Sequence, residues 1–137
     1  MTNAAGSGQE HEAYELFKRG TELLERGDSA AAATVLARAV EQEPTSASLL
    51  EAYARAQFDS GRPHDAAKSF ARLLELSPDA DYARFGYGLC LSRLGRFSEA
   101  AEQLRMATVM RPDRREYAEH LRQVRATLAA RRTSGTA

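Results

Sequence analysis

Proline, glycine and alanine each return in this chain at an interval of 34 residues: Pro44, Pro78 and Pro112; Gly27, Gly61 and Gly95; Ala32, Ala66 and Ala100. No insertion separates the copies. A fixed period of this length marks a repeat array, in which one supersecondary unit buries its apolar face against the next. Each recurring residue has a physical role. The glycine stands between two apolar-periodic runs, where a tight turn calls for positive φ. The alanine follows five residues later, and its small side chain lets two helices approach closely. The proline stops the second run, because it has no N–H and drives its predecessor out of helical conformation.

The runs between these marks have helical spacing. Tyr14, Phe17, Leu23 and Leu24 form one apolar face, and Val35, Leu36, Ala39 and Val40 the next. Leu49, Leu50, Tyr53 and Phe58 follow, then Phe70, Leu73 and Leu74; the third pair uses Phe85, Leu89 and Leu91, then Leu104, Ala107 and Val109. No run shows strand alternation bounded by hairpin turns. Asp28 is expected to cap one helix and Pro63 to open another; Ser29, Ser46 and Ser98 read as further caps. After Pro112, the sequence Asp113-Arg114-Arg115-Glu116 reads as a capping-box start, and Tyr117, Leu121, Val124 and Leu128 continue as the stripe of a closing helix.

These residues give the chain its resemblance to the tetratricopeptide repeat (TPR) family. The opening pattern of that repeat is partly matched by Leu16, Gly20 and Leu23, by Leu50, Tyr53, Ala54 and Phe58, and by Tyr87, Gly88 and Leu91. The repeat's tryptophan is absent, with Arg84 in its place in the third copy, and Arg19 stands where leucine is common. The resemblance implies an all-α, right-handed superhelical array of three hairpins and a seventh, closing helix. The repeats fall at about 13–46, 47–80 and 81–114 and the closing helix at about 114–131, within a domain spanning 10–131. Residues 1–9 and 132–137, small and polar, read as disordered tails.

Composition narrows the function classes. Nineteen basic groups balance nineteen acidic ones, whereas a general nucleic-acid binder carries a basic excess. Charge is nonetheless uneven. Residues 1–45 hold eight acidic and four basic groups (net −4), 46–110 eight of each, and 111–137 three acidic and seven basic (net +4). In the last segment arginines alternate with Asp113, Glu116 and Glu119, and Tyr117 is its one aromatic, so nucleic acid is not an expected partner. No long apolar run or signal sequence is present, and Cys90 is the single cysteine; the reading is cytoplasmic, without a membrane partner. Arginine outnumbers lysine 17 to 2, which suits a GC-rich bacterial genome.

The residues that could carry catalysis or a metal stand in no such pattern. His11, His64 and His120 have no metal-ligand spacing; Gly86-Tyr87-Gly88 lacks the third glycine and the preceding strand of a nucleotide loop; no serine stands in a nucleophile elbow. The expectation is a non-enzyme without a cofactor.

The resemblance also implies where binding occurs, since the first helix of each TPR hairpin lines a concave groove. The groove residues carried over are Tyr14, Phe17, Lys18, Thr21 and Glu25; Ser48, Glu51, Ala52, Arg55 and Asp59; and Tyr82, Phe85, Gly86, Leu89 and Arg93, with Glu119, His120 and Gln123 from the closing helix. Tyr14 and Phe17 match Tyr82 and Phe85 in register. Two readings of these rings stand: binding hot spots, or packing within the array. TPR co-chaperones clamp a terminal carboxylate at positions that here read Phe17, Thr21, Ala52, Tyr82 and Gly86, none of which matches, so the groove suits a partly apolar segment with Arg55 as a central charge. The expected function is an adaptor that holds a protein or peptide, favouring a monomer. The alternative is a self-associating scaffold that uses its exposed aromatics.

Overall fold

A computed structural model describes residues 3–136, and the side chains of residues 8–135. The elements run α1 (Asn3–Glu25), α2 (Ser29–Gln42), α3 (Ala47–Asp59), α4 (Pro63–Leu76), α5 (Asp81–Arg93), α6 (Phe97–Met110) and α7 (Arg115–Thr136), with no strand among the described residues.

The periodic residues act as the spacing predicts. Gly27, Gly61 and Gly95 have φ of 83°, 83° and 78°. Each closes its helix with the same pair of bonds: Gly27 N–H donates to Leu24 O at 3.0 Å, and Asp28 N–H to Leu23 O at 2.8 Å, with equivalents in both later copies. Ala32, Ala66 and Ala100 are each 0% exposed, where the two helices of a hairpin cross. Each proline lies two residues beyond the last residue of α2, α4 or α6.

Local caps are more varied than the sequence reading. Ser46 accepts from Leu49 N–H at 3.4 Å, and Pro63 occupies the first turn of α4. Asp28 stands at the N-cap of α2 but makes no side-chain cap bond. Ser29 and Ser98 lie inside their helices rather than before them. The expected box at α7 does not form, because Asp113 is drawn to Arg111, which donates to it at 3.0 and 2.9 Å. That bidentate pair holds the Asp113 carboxyl down at about 2, and because α7 begins at Arg115, Asp113 stands one residue before the N-cap position. Residues 3–9 and 132–136, expected as tails, continue α1 and α7 as helix. Neither stretch contains proline, and extending a nucleated helix fixes one residue per new bond.

Each helix packs on its neighbours in the chain. In addition α1 approaches α3, α3 approaches α5, and α5 approaches α7, whereas the backbones of α2, α4 and α6 stay apart from one another. The first helices therefore converge on one side of the array and the second helices splay on the other. Three core clusters lie in sequence along it. The first joins α1, α2 and α3 around Leu36 and Leu49; the second joins α3, α4 and α5 around Leu50 and Phe70; the third joins α5, α6 and α7 around Leu104 and Tyr117. Val40 packs against the first two and Tyr87 against the last two, so the core is continuous. Buried Gln57 and Ser69 satisfy each other inside the middle hairpin, the Ser69 hydroxyl donating at 2.6 Å.

Candidate functional site

The convergent side of α1, α3 and α5 carries a cleft of about 400 Å³. Of the residues expected in a groove, it gathers Phe17, Thr21, Glu51, Ala52, Arg55 and Tyr82, together with Glu25 and Ser48; Leu24 completes the wall. Helical spacing explains the grouping. Phe17, Thr21 and Leu24 lie on one face of α1, and Ser48, Ala52 and Arg55 on the facing side of α3. Ala52 is buried at the floor, while Phe17, Thr21 and Tyr82 are half-buried.

Smaller depressions extend this cleft through shared walls. One adjoins it at Phe17 and Ser48 and is edged by Tyr14, Glu10 and Glu43. A second adjoins it at Glu51 and Tyr82 and is edged by Asp81. A third adjoins it at Arg55 and Tyr82 and reaches Asp59, Gly86 and Leu89. Tyr14 is 62% exposed and is the open aromatic rim of the groove.

Six expected residues, Phe85, Lys18, Arg93, Glu119, His120 and Gln123, line none of these depressions. Phe85 is only 6% exposed, stacked on Tyr117 with ring centroids 4.5 Å apart and met edge-on by His120 at 5.3 Å. Its register matches that of Phe17, but α7 covers it. Lys18 opens onto a separate depression on another flank of α1, with Glu15, Arg19 and Glu22. Arg93 lays its guanidinium over the Phe58 ring at 4.9 Å, so its charge sits at the end of the groove rather than in the central cleft. Gly86 is buried as well as groove-adjacent: a side chain there would run into the Phe70 ring of α4. Glu119 and Gln123 of α7 are exposed outside these depressions.

The groove is electrostatically lopsided. The Arg55 guanidinium meets Asp59 at 3.7 Å, so the expected central charge is already engaged. Burial raises the Glu51 carboxyl above its ordinary value, and nearby Asp81 raises it further while Arg55 pulls it back. Burial likewise raises the Tyr82 hydroxyl. At the far end the Tyr117 hydroxyl donates to Asp81 at 2.7 Å, tying α7 to the start of α5. Sequence reasoning missed Glu10, Glu43 and Asp81. Glu43 and Asp81 stand at helix boundaries, where register does not report which way a side chain turns. Cys90 is fully buried, and desolvation pushes its thiol up to about 12; a group so placed is not a nucleophile near neutral pH.

The sequence pattern of the tetratricopeptide repeat matches residues 17–62 and 52–115. The chain belongs to this family. A curated relative, Superkiller complex protein 3 of Mus musculus, is 30% identical over 113 residues; the match covers 82% of this chain and 7% of that protein. The second TPR domain of human RPAP3, solved with the HSP70 peptide SGPTIEEVD, superposes with a TM-score of 0.80 at 18% identity, covering 85% of this chain and 98% of that one. The Yersinia enterocolitica type III secretion chaperone SycD, solved with a peptide of the translocator YopD, gives 0.72 at 16% identity, covering 89% and 93%. Both solved structures share the helical array seen here.

Proposed function

We propose that this chain is a non-enzymatic protein-interaction module that holds a peptide or protein segment in the groove of α1, α3 and α5. The open, partly apolar cleft between Phe17 and Tyr82 carries the reading. Exposed aromatic surface beside polar side chains is the composition of binding hot spots, and a concave face built on rigid helices is pre-organised for a partner. Two proteins of the same fold were solved with peptides, which supports the class of partner. We place the protein in the cytoplasm, as a monomer with no nucleic-acid or membrane partner; the lone buried thiol fits a reducing compartment.

The test is panning of a random-peptide phage library on the full chain. Binding of a selected peptide should be lost in Thr21→Trp, which fills the cleft. The register-equivalent positions carry Arg55 and Leu89, so the helix accommodates a larger side chain there. Undiminished binding by a folded Thr21→Trp protein contradicts the reading.

A further inference from the structure

This inference rests on the groove being the binding face and concerns what that face selects. The whole chain is neutral, but the groove is not. Its linked depressions are edged by Glu10 and Glu43 at one end, Glu25 and Glu51 in the middle, and Asp59 and Asp81 beyond. Among the residues lining them, Arg55 is the one basic side chain, and Asp59 engages it. Glu25 and Glu51 make no hydrogen bond or ion pair among the described side chains. The Phe17 and Tyr82 rings line the same cleft as both glutamates.

Aromatic faces attract a cation, and carboxylates at the rim of a partly desolvated cleft strengthen that attraction. The aliphatic stem of lysine or arginine covers apolar surface while its head stays polar. We propose that the groove binds a segment carrying lysine or arginine flanked by apolar residues, with the basic stem lying between Phe17 and Tyr82 and its charge facing Glu51 and Glu25. The same geometry disfavours an acidic tail such as SGPTIEEVD, whose carboxylates would meet like charge along the groove. The Glu51 carboxyl, exposed but partly screened from water by the cleft and repelled by Asp81, gains from a cation more than Arg55 alone supplies.

The test takes the peptides selected by the full chain, and a fluorescein-labelled copy of the most enriched one as probe. Lysine and arginine should be enriched next to apolar residues. Affinity should fall about tenfold or more in Glu25→Lys/Glu51→Lys, and several-fold between about 0.05 and 0.5 M salt. Both glutamates are exposed; should the reversal nevertheless unfold the chain, Glu25→Gln/Glu51→Gln measures the same loss with a milder change. Neutral or acidic peptides that are still lost in Thr21→Trp overturn the charge inference and leave the groove reading standing. Basic peptides indifferent to both Thr21→Trp and charge reversal overturn the two together, as does selection of no peptide.

Discussion

Phe17 and Phe85 occupy the same position of the repeat and meet opposite fates. Phe17 is half-buried: it packs on the first core cluster around Leu36 and Leu49, but its outer side stays on the wall of the open cleft opposite Ser48 and Ala52. Phe85 lies under α7, stacked on Tyr117. The difference comes from the next helix along, not from the residue or its register. Where the facing helix presents small side chains, a ring stays available to a partner; where it presents Tyr117, the ring becomes core. The groove is therefore open at its first half and filled at its second. Removing α7 would break this contrast most severely. Deletion of residues 113–137 uncovers Phe85 and Leu104 and takes away Tyr117, Leu121 and Val124. The truncated chain should aggregate, since a terminal repeat without its polar cover exposes apolar surface. A soluble, monomeric and fully helical truncation in light scattering and circular dichroism would contradict the role given to α7.

Single substitutions sharpen the contrast. Phe85→Ala should destabilise by about 3–5 kcal/mol in urea unfolding, as buried rings do. Phe17→Ala should cost less, about 1–2 kcal/mol, because only part of the ring packs on the core, while weakening peptide binding by about tenfold or more. Equal losses of stability would mean that both ends of the groove are core. Tyr117→Phe tests the tie between α7 and α5: losing its bond to Asp81 should lower stability by about 1 kcal/mol, leaving binding at the open half unchanged. The smallest effect belongs to Glu51. Its folded carboxyl sits above the ordinary 4.5, so the folded state holds the proton more tightly than the unfolded one. Stability from this group rises as pH falls through the raised value and is diminished above it. Glu51→Gln should thus stabilise the free protein by a few tenths of a kcal/mol near neutral pH, given its exposure, and should flatten its share of the pH dependence just above 4.5. Destabilisation would show that the carboxylate is satisfied in the free chain.

The fold was readable because each periodic residue answers to one local rule: positive φ for Gly27, Gly61 and Gly95, close helix crossing for Ala32, Ala66 and Ala100, and a helix stop for the prolines. The wall of the cleft was readable from the family resemblance, which implies that the first helices line a groove; Phe17, Thr21, Glu51, Ala52, Arg55 and Tyr82 were carried over on that ground, and the structure brings them together. What register could not give was the surroundings of each position. Phe85 looked equivalent to Phe17 until Tyr117 was placed over it. Lys18 has the register of Ala52 and Gly86, but its long side chain is free to leave the cleft. Arg55 seemed a free central charge because its exposed pairing with Asp59, one turn away, is one of several rotamer outcomes that sequence does not fix. Asp113 is held by Arg111 instead of capping, and Asp28 reaches the cap position of α2 without making the bond.

Backbone amide shifts recorded while a selected peptide is titrated into isotope-labelled protein test the central claim most directly. The largest changes should map to Phe17, Thr21, Glu51, Arg55 and Tyr82, with the outer faces of α2, α4 and α6 silent and α7 affected little beyond Tyr117. Changes concentrated on those outer faces, or on the exposed Arg115, Arg122 and Arg125 of α7, would contradict it.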